Sequence, residues 1–225
     1  MGSMYDMGAV ATAQVVENNR LKCGIHDVIF KGIEKADYQS TDGTEAVDLT
    51  FEAVDGSGTH KERLFEPKSA DRSTATFNNV EVTNPSQVEQ FMAKIKQIIS
   101  ALNPEIAASI ESGEKKFTAP SFDGIVKLLK KILDSKVGTK TQIKLVPNGR
   151  YAAFPGFPAR ISKNGDVYMS TKFIGDTLTL NSYESSAIDK ANSAAPTQMS
   201  SADTTIADMQ NDFNVSETED DDLPF

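Results

Sequence analysis

Apolar and polar residues alternate with a period of two in the first third of the chain, which is the pattern of a half-buried strand. The clearest case is EAVDLTFEAVD (45–55), and strand-like segments lie on either side of it at 25–39 and 59–67. The turn sequences STDGT and DGSG separate the three segments. This region therefore predicts an antiparallel meander of three strands. The residues on one face of its middle strand are Val47, Leu49 and Phe51.

Between residues 84 and 136 the apolar spacing changes to the helical period of 3.6. The first helical segment has Asn84 as its predicted N-cap and Pro85 at its predicted first helical position, where helices favour these residue types. The segment 121–136 places apolar residues on one face and lysines on the other. The pattern predicts two helices with a shorter helical segment, PEIAASIES, between them.

Strand patterns then return before the chain changes character. An order of three strands, a helix and returning strands is that of the OB-fold, a small barrel that binds oligonucleotides. We therefore expect a mainly β, α+β domain over 1–183, an OB-fold-like five-stranded antiparallel barrel with a helical insertion at about 84–136 between strands 3 and 4. An α+β sheet with helices on one face has the same order of elements and stays an alternative. The returning strand segments are 141–148, 150–155, 159–162 and 166–175.

The chain beyond residue 183 has the composition of a disordered segment. Ser, Ala, Thr, Asn and Asp dominate it, so it cannot bury enough apolar surface to offset the entropy of ordering. Residues 1–180 contain 22 acidic and 22 basic residues, so the net charge of −9 belongs to the ten acids and one lysine that follow. We expect 184–225 to be a disordered linker ending in an acidic motif.

Several classes of protein are disfavoured by the sequence. No apolar run approaches the about 20 residues that span a bilayer, and no signal peptide is evident, so we expect a cytoplasmic protein without a membrane partner. The single cysteine, Cys23, allows no internal disulfide. Apart from Cys23, three residues before His26, neither His26 nor His60 has a Cys or His at ligand spacing, and no glycine motif has phosphate-loop spacing. We expect neither an enzyme nor a metal or other cofactor.

Basic and aromatic residues are interleaved in 144–173, and this combination holds single-stranded nucleic acid. Positive charge follows the phosphates, while each base stacked on an aromatic ring contributes about 1–3 kcal/mol. Strand aromatics also commonly fill the core, so every ring has that interpretation beside the binding one. The wider group includes Lys68, Arg72 and Phe173. The expected contacts to single-stranded DNA are Lys31, Lys35, Arg63, Phe65, Lys144, Arg150, Tyr151, Phe154, Phe157, Arg160, Lys163, Tyr168 and Lys172.

The last six residues, DDDLPF, join three aspartates to an apolar end. They resemble the C-terminal tip of bacterial single-stranded DNA-binding proteins, and acidic tails ending in Phe also occur in bacteriophage proteins of this class. The longer body with its helical insertion is more similar to a phage-encoded member, which would act in the cytoplasm of a bacterial host. The resemblance implies a protein that coats and protects single-stranded DNA in replication, recombination and repair. The implied partner-binding residues are Asp220, Asp221, Asp222, Leu223, Pro224 and Phe225.

The resemblance also implies how this tip acts. Phe225 would enter an apolar pocket of a replication or recombination protein, such as a polymerase, helicase, primase or nuclease, while the carboxylates meet Lys or Arg. Without a partner, the same polyanion can imitate DNA phosphates in the basic groove of its own protein. A purely solubilising acidic end is the alternative, and the apolar residues 223–225 count against it.

Three functions are compatible with these features. The first is a sequence-independent single-stranded DNA-binding protein that recruits partners through its tip. The second is a replication or recombination adaptor that uses the same tip but binds DNA weakly, which the neutral body keeps open. The third is a nuclease or other nucleic-acid enzyme whose acidic residues are not grouped in the sequence. The oligomeric state is left open, and a homo-oligomer is among the options.

Overall fold

A computed structural model describes residues 19–37, 43–77, 80–149, 151–156 and 159–193. The strands are β1 (Gly24–Lys35), β2 (Ala46–Ala53), β3 (Thr59–Phe65), β4 (Ser73–Phe77), β5 (Val80–Asn84), β6 (Lys140–Asn148), β7 (Tyr151–Ala153), β8 (Ala159–Ile161), β9 (Val167–Met169) and β10 (Ile174–Gly175). The helices are α1 (Gln87–Leu102), α2 (Pro104–Glu111), α3 (Phe122–Leu133) and α4 (Ser182–Ser193). A 3₁₀ turn, Asp134–Lys136, follows α3.

The main sheet is antiparallel and has the strand order β10-β6-β1-β2-β3, with β7 also paired to β6. Strand β1 is shared, because residues 24–29 pair with β6 and residues 28–35 pair with β2. The register shifts between Phe30 and Gly32, and Gly32 has a φ of 141°, which only glycine adopts readily. The predicted α+β domain with an antiparallel sheet is confirmed. Among the described strands no ladder joins β3 to β7 or β10, so the sheet is not closed into the expected barrel.

The core lies between the sheet and the helices α1 and α3, whose apolar faces it includes. Four buried rings form a series across it: Phe30, Phe51, Phe154 and Phe173, with successive centroids 5.6, 5.9 and 4.6 Å apart. Phe51 belongs to β2, whereas Phe154 directly follows β7 at the other side of the sheet. Both sides of the sheet therefore contribute to one core, because the sheet is curled around it.

Helix α1 begins after a two-stranded ribbon that the alternation of residues did not predict. Asn84, the predicted N-cap, is the last residue of β5, which pairs with β4. The N-cap is Ser86, whose hydroxyl accepts a hydrogen bond from the Glu89 backbone N–H while the Ser86 N–H donates to the Glu89 carboxylate. The described side chains of β4 are exposed. Over these described positions the ribbon consequently lacks the buried face that makes a strand visible in a sequence.

Helix α4 corrects the predicted start of the disordered linker at residue 184. At its first turn the Glu184 N–H donates to the Asn181 side chain at 2.8 Å, and the Asn181 N–H donates to the Glu184 carboxylate at 2.9 Å. The buried Glu184 carboxylate also meets the Lys144 ammonium of β6 at 2.8 Å. The domain thus continues through this helix. The remainder of the predicted linker, from residue 194, lies outside the described residues.

Candidate nucleic-acid interface

Two of the predicted DNA contacts lie in the interior, so these two predictions are wrong. Phe154 is 2% exposed and packs between the tilted rings of Phe51 and Phe173. Lys144 is 2% exposed, and its ammonium donates to Thr171 Oγ1 at 2.7 Å and to Glu184 at 2.9 Å. Neither side chain reaches a surface where DNA could contact it. Phe173, from the wider basic and aromatic group, is also fully buried.

The predicted cations of the meander are each paired with a carboxylate. The pairs of Lys31 and Lys35 are exposed and contribute little, so a phosphate group could displace their carboxylates at low cost. The Asp48 carboxylate that holds Arg63 is buried, so displacing Arg63 from it would cost more. The pairing still leaves this region with little surplus positive charge. The pairs, at 2.6–2.8 Å, are Lys31 with Glu52, Lys35 with Glu45 and Arg63 with Asp48. Phe65, at the end of β3, is 49% exposed and available for stacking.

Tyr151 forms an exposed pair with a residue that the sequence did not suggest, Arg20. The tyrosine is 64% exposed, and the guanidinium carbon of Arg20 lies 5.5 Å from its ring centroid, within cation–π range. Arg20 is held there because the adjoining Leu21 N–H donates to Thr59 O and the Thr59 N–H donates to Asn19 O at the edge of β3. No local pattern links Arg20 to a ring so far along the chain.

Arg160 and Tyr168 form a second exposed Tyr–Arg pair, as cross-strand neighbours on the hairpin of β8 and β9. They lie directly opposite each other in the ladder, so their side chains share one face, and both are exposed. The next pair in the ladder, Ala159 and Met169, faces the other way, with Ala159 buried and Met169 packed against the core. Lys163 lies at the exposed turn of the same hairpin. The hairpin thus presents cations and one ring on its outer face.

The remaining predicted residues do not extend these two Tyr–Arg pairs. Lys172 is exposed, and its ammonium donates to the Asp176 carbonyl oxygen at 2.9 Å. Arg150 and Phe157 lie outside the described residues, as does the acidic tip 220–225. Of the predicted contacts, the structure therefore brings together Arg160 and Tyr168, and it supplies Arg20 as the neighbour of Tyr151.

Arg72, from the wider basic group, has a structural role, because its hydrogen bonds connect three parts of the fold. Its guanidinium donates to both carboxylate oxygens of Glu89 at 2.6–3.0 Å and to the Gly165 carbonyl oxygen at 3.1 Å. The contact therefore joins the start of the β4–β5 ribbon, helix α1 and the turn of the β8–β9 hairpin. The hydrogen bonds from Arg72, followed by those from Ser86, lower the pKa of Glu89 to about 2.

Replacing Glu89 with glutamine should destabilise the protein at neutral pH, because only the carboxylate form of residue 89 is favoured by Arg72. This contribution is complete above the ordinary glutamate pKa of 4.5 and is lost as the pH falls toward about 2. Urea unfolding of both proteins across that range should show their difference in stability shrinking with acidification. Glu81→Gln removes an exposed carboxylate of β5 and is the matched control. A difference that does not change with pH would contradict the role given to Arg72.

The described part of the chain offers little catalytic chemistry. No three His, Cys, Asp or Glu side chains there are grouped as metal ligands. Burial raises the pKa of the Cys23 thiol, which disfavours the reactive thiolate. His60 Nε2 lies 2.9 Å from the buried carboxylate of Glu62, which also accepts a hydrogen bond from the Phe154 N–H at 3.0 Å. That pair holds β3 against the segment after β7.

A groove of about 680 Å³ lies along α1 and α2, and the β8–β9 turn contributes to its wall. Apolar side chains such as Met92, Ile99 and Ile110 line it, with Lys115 and Lys116 among the charged residues. Neither Tyr151 nor Tyr168 lines the groove, but the groove adjoins the β8–β9 hairpin, because Val167 beside Tyr168 is part of its wall. Among the described helices none is long and apolar enough to cross a membrane.

Comparisons of the chain with protein-family models, with curated proteins and with solved structures gave no match. The evidence for function is therefore the chemistry of this chain's own surface. That surface carries two exposed Tyr–Arg pairs, one between Tyr151 of β7 and Arg20 in the segment before β1 and one on the β8–β9 hairpin, with Lys163 at the turn of that hairpin.

Proposed function

We propose that the protein binds single-stranded DNA without strong sequence preference and coats it during replication, recombination and repair. The observation that carries this proposal is the pair of exposed Tyr–Arg arrangements, Arg20 with Tyr151 and Arg160 with Tyr168. A ring that stacks on a base and a guanidinium that meets the neighbouring phosphate are the two components of sequence-tolerant binding. The proposal assigns no enzymatic step and no cofactor to the protein.

We further propose that the curled sheet is a variant of the OB-fold. Support comes from the shared strand β1, which pairs with β2 on one side and β6 on the other, and from the helices inserted before β6. The Glu62 carboxylate meets the Phe154 N–H at 3.0 Å, so the β3 and β7 sides of the sheet approach each other through a side chain. A barrel would have a backbone ladder at that position.

The acidic tip supplies the second part of the proposed function. Residues 220–225 would bind replication or recombination proteins, with the apolar end in a pocket and the aspartates against basic side chains. The resemblance of DDDLPF to the tips of bacterial and phage single-stranded DNA-binding proteins supports this role. We place the protein in the cytoplasm of a bacterial cell, as a phage-encoded member of that class.

One observation favours the alternative of an adaptor that binds DNA weakly. The cations of the meander are neutralised by carboxylates, as shown by the bidentate contact of Arg63 with Asp48 at 2.7 and 2.8 Å. Residues 1–180 are also neutral overall. An adaptor of this kind would use the tip in the same way but would not coat DNA.

Titrating labelled oligo(dT) and following its fluorescence anisotropy tests the proposed function. We expect tight binding that weakens as salt rises, because phosphate contacts release counterions. A chain ending at Glu217 should bind more tightly, because the competing polyanion is gone. The control variant Leu223→Ala/Phe225→Ala keeps every acidic residue and should bind DNA like the full chain.

Two results would redirect the proposal. If neither form binds oligo(dT), the adaptor is the better assignment and the tip is the functional element. If removal of the tip weakens binding, the tip does not compete with DNA, and that part of the mechanism is wrong.

A further inference from the structure

A small cleft lies beside the Arg160–Tyr168 pair, where the β4–β5 ribbon meets the β8–β9 hairpin. Its volume is about 300 Å³, the lower limit of typical small-molecule sites, so it has room for a group of the size of a nucleobase. Ser73 and Asn84 face each other across the ribbon ladder and both line the cleft. The complete lining is Ser73, Asn84, Pro85, Gln90, Ala159 and Arg160.

The walls of the cleft combine hydrogen-bonding groups with apolar surface. Gln90 Nε2 donates to the Pro85 carbonyl oxygen at 2.8 Å, which orients that amide and leaves its oxygen as an acceptor. Neither Ser73 nor Asn84 uses its side chain in a hydrogen bond to another described residue. Pro85 and Ala159 are buried and supply the apolar part. The cleft therefore suits a small heterocycle that has both hydrogen-bond donors and acceptors at its edge and an apolar face.

Arg160 connects the cleft to the candidate interface. It lines the cleft and also lies opposite Tyr168 in the hairpin. A strand with one base stacked on Tyr168 would therefore bring a neighbouring base to the cleft while its phosphate approaches Arg160. Arg160 has other contacts within the protein, so its role here rests on position and charge, not on a lack of partners.

We propose that this cleft is a nucleobase subsite that favours adenine, with Asn84 as the residue that reads the base. A carboxamide can donate to N7 and accept from the N6 amino group of adenine, and such a bidentate contact discriminates between bases by roughly 5- to 150-fold. Thymine lacks that edge. This inference rests on the proposed single-stranded DNA binding and adds to it a preference at one nucleotide.

The test compares oligo(dA) with oligo(dT) of equal length on the full chain and on variants. Asn84→Ala should lower the ratio of oligo(dA) to oligo(dT) affinity by roughly 5-fold or more, since one bidentate contact is lost. Ser73→Trp fills the cleft from an exposed strand position, where an aromatic residue is tolerated, and should lower the same ratio. Asn164→Ala, at the exposed hairpin turn, removes an amide outside the cleft and should leave the ratio unchanged. Differences in base stacking between the two oligonucleotides cancel, because only the change in ratio is compared.

The outcomes separate this inference from the proposed function. Tight oligonucleotide binding with a ratio that neither Asn84→Ala nor Ser73→Trp changes would overturn the subsite and leave the proposed function standing. A protein that binds neither oligonucleotide would overturn both. Thermal unfolding of each variant shows whether the protein is still folded when its preference for oligo(dA) falls. Asn84→Ala removes a side chain from the cleft, whereas Ser73→Trp fills the cleft, so the two variants test the subsite independently.

Discussion

A protein with Tyr151→Ala and Tyr168→Ala is expected to lose most of its affinity for oligo(dT). Each base stacked on an aromatic side chain contributes about 1–3 kcal/mol, so each substitution should raise Kd by roughly 5- to 150-fold. Both rings are exposed and both have an arginine beside them, which makes them the rings best suited to stacking among the described residues. Anisotropy titration of the single and double variants at fixed salt measures the loss.

Two control variants make this result specific. Tyr183→Ala removes a ring that is 83% exposed on α4 and belongs to neither Tyr–Arg pair, so it should leave Kd within about two-fold of the original. Tyr168→Phe keeps the ring and removes only the hydroxyl, so it should retain binding. If the double variant binds like the original protein, the interface lies elsewhere. If Tyr183→Ala loses as much oligo(dT) affinity as the double variant, the Tyr–Arg pairs have no special role in binding.

Much of the fold could be predicted because its strands and helices each bury one face. The three meander segments and the helical segments were found near their observed positions, since alternation and helical spacing follow directly from one-sided burial. The β4–β5 ribbon was missed for the same reason, because its described side chains in β4 have no buried face. Whether the sheet closes depends on contacts between distant strands, which no local pattern encodes.

The candidate site was predicted only in part, and one usable signal was overlooked. Within the basic and aromatic segment the two described tyrosines are exposed, whereas Phe154 and Phe173 are buried. A tyrosine hydroxyl needs a hydrogen-bonding partner and favours a surface position, while a phenylalanine ring has no such need. Assigning the tyrosines of this segment to the surface and its phenylalanines to the core would have separated the binding candidates from the core residues. Phe65, which is 49% exposed, would still have been misjudged.

Lys144 could not have been predicted as an interior residue from its own surroundings. Its partner, Glu184, lies in a segment whose composition indicated disorder, so the charge that compensates Lys144 was assigned to a linker. A buried ammonium is tolerated only when its hydrogen bonds are satisfied, and here Thr171 and Thr179 complete the set. Burial of Lys144 therefore depends on Glu184 of helix α4, and the helix is held to the domain by the same ion pair. Neither could be predicted from the sequence without the other.

Replacing Lys144 with methionine should destabilise the fold by about 3–5 kcal/mol, because the Glu184 carboxylate would remain buried without its cation. Urea unfolding at neutral pH measures this loss. Lys31→Met breaks an exposed ion pair with Glu52 and should cost about 1 kcal/mol or less. Both variants lose the same charge, so the difference between their free energies of unfolding measures the effect of burial.

Adding Glu184→Gln to Lys144→Met should restore part of the lost stability, although it removes a second charged residue. The amide oxygen can still accept the hydrogen bond from the Asn181 N–H, while the uncompensated buried charge is gone. A double variant less stable than Lys144→Met would show that Glu184 contributes through something other than this pair. Under conditions where the single variant is folded, its oligo(dT) affinity should match that of the original protein, because the Lys144 side chain lies beneath the surface. A loss of affinity in that folded variant would mean that α4 and the surface it supports also shape the DNA site.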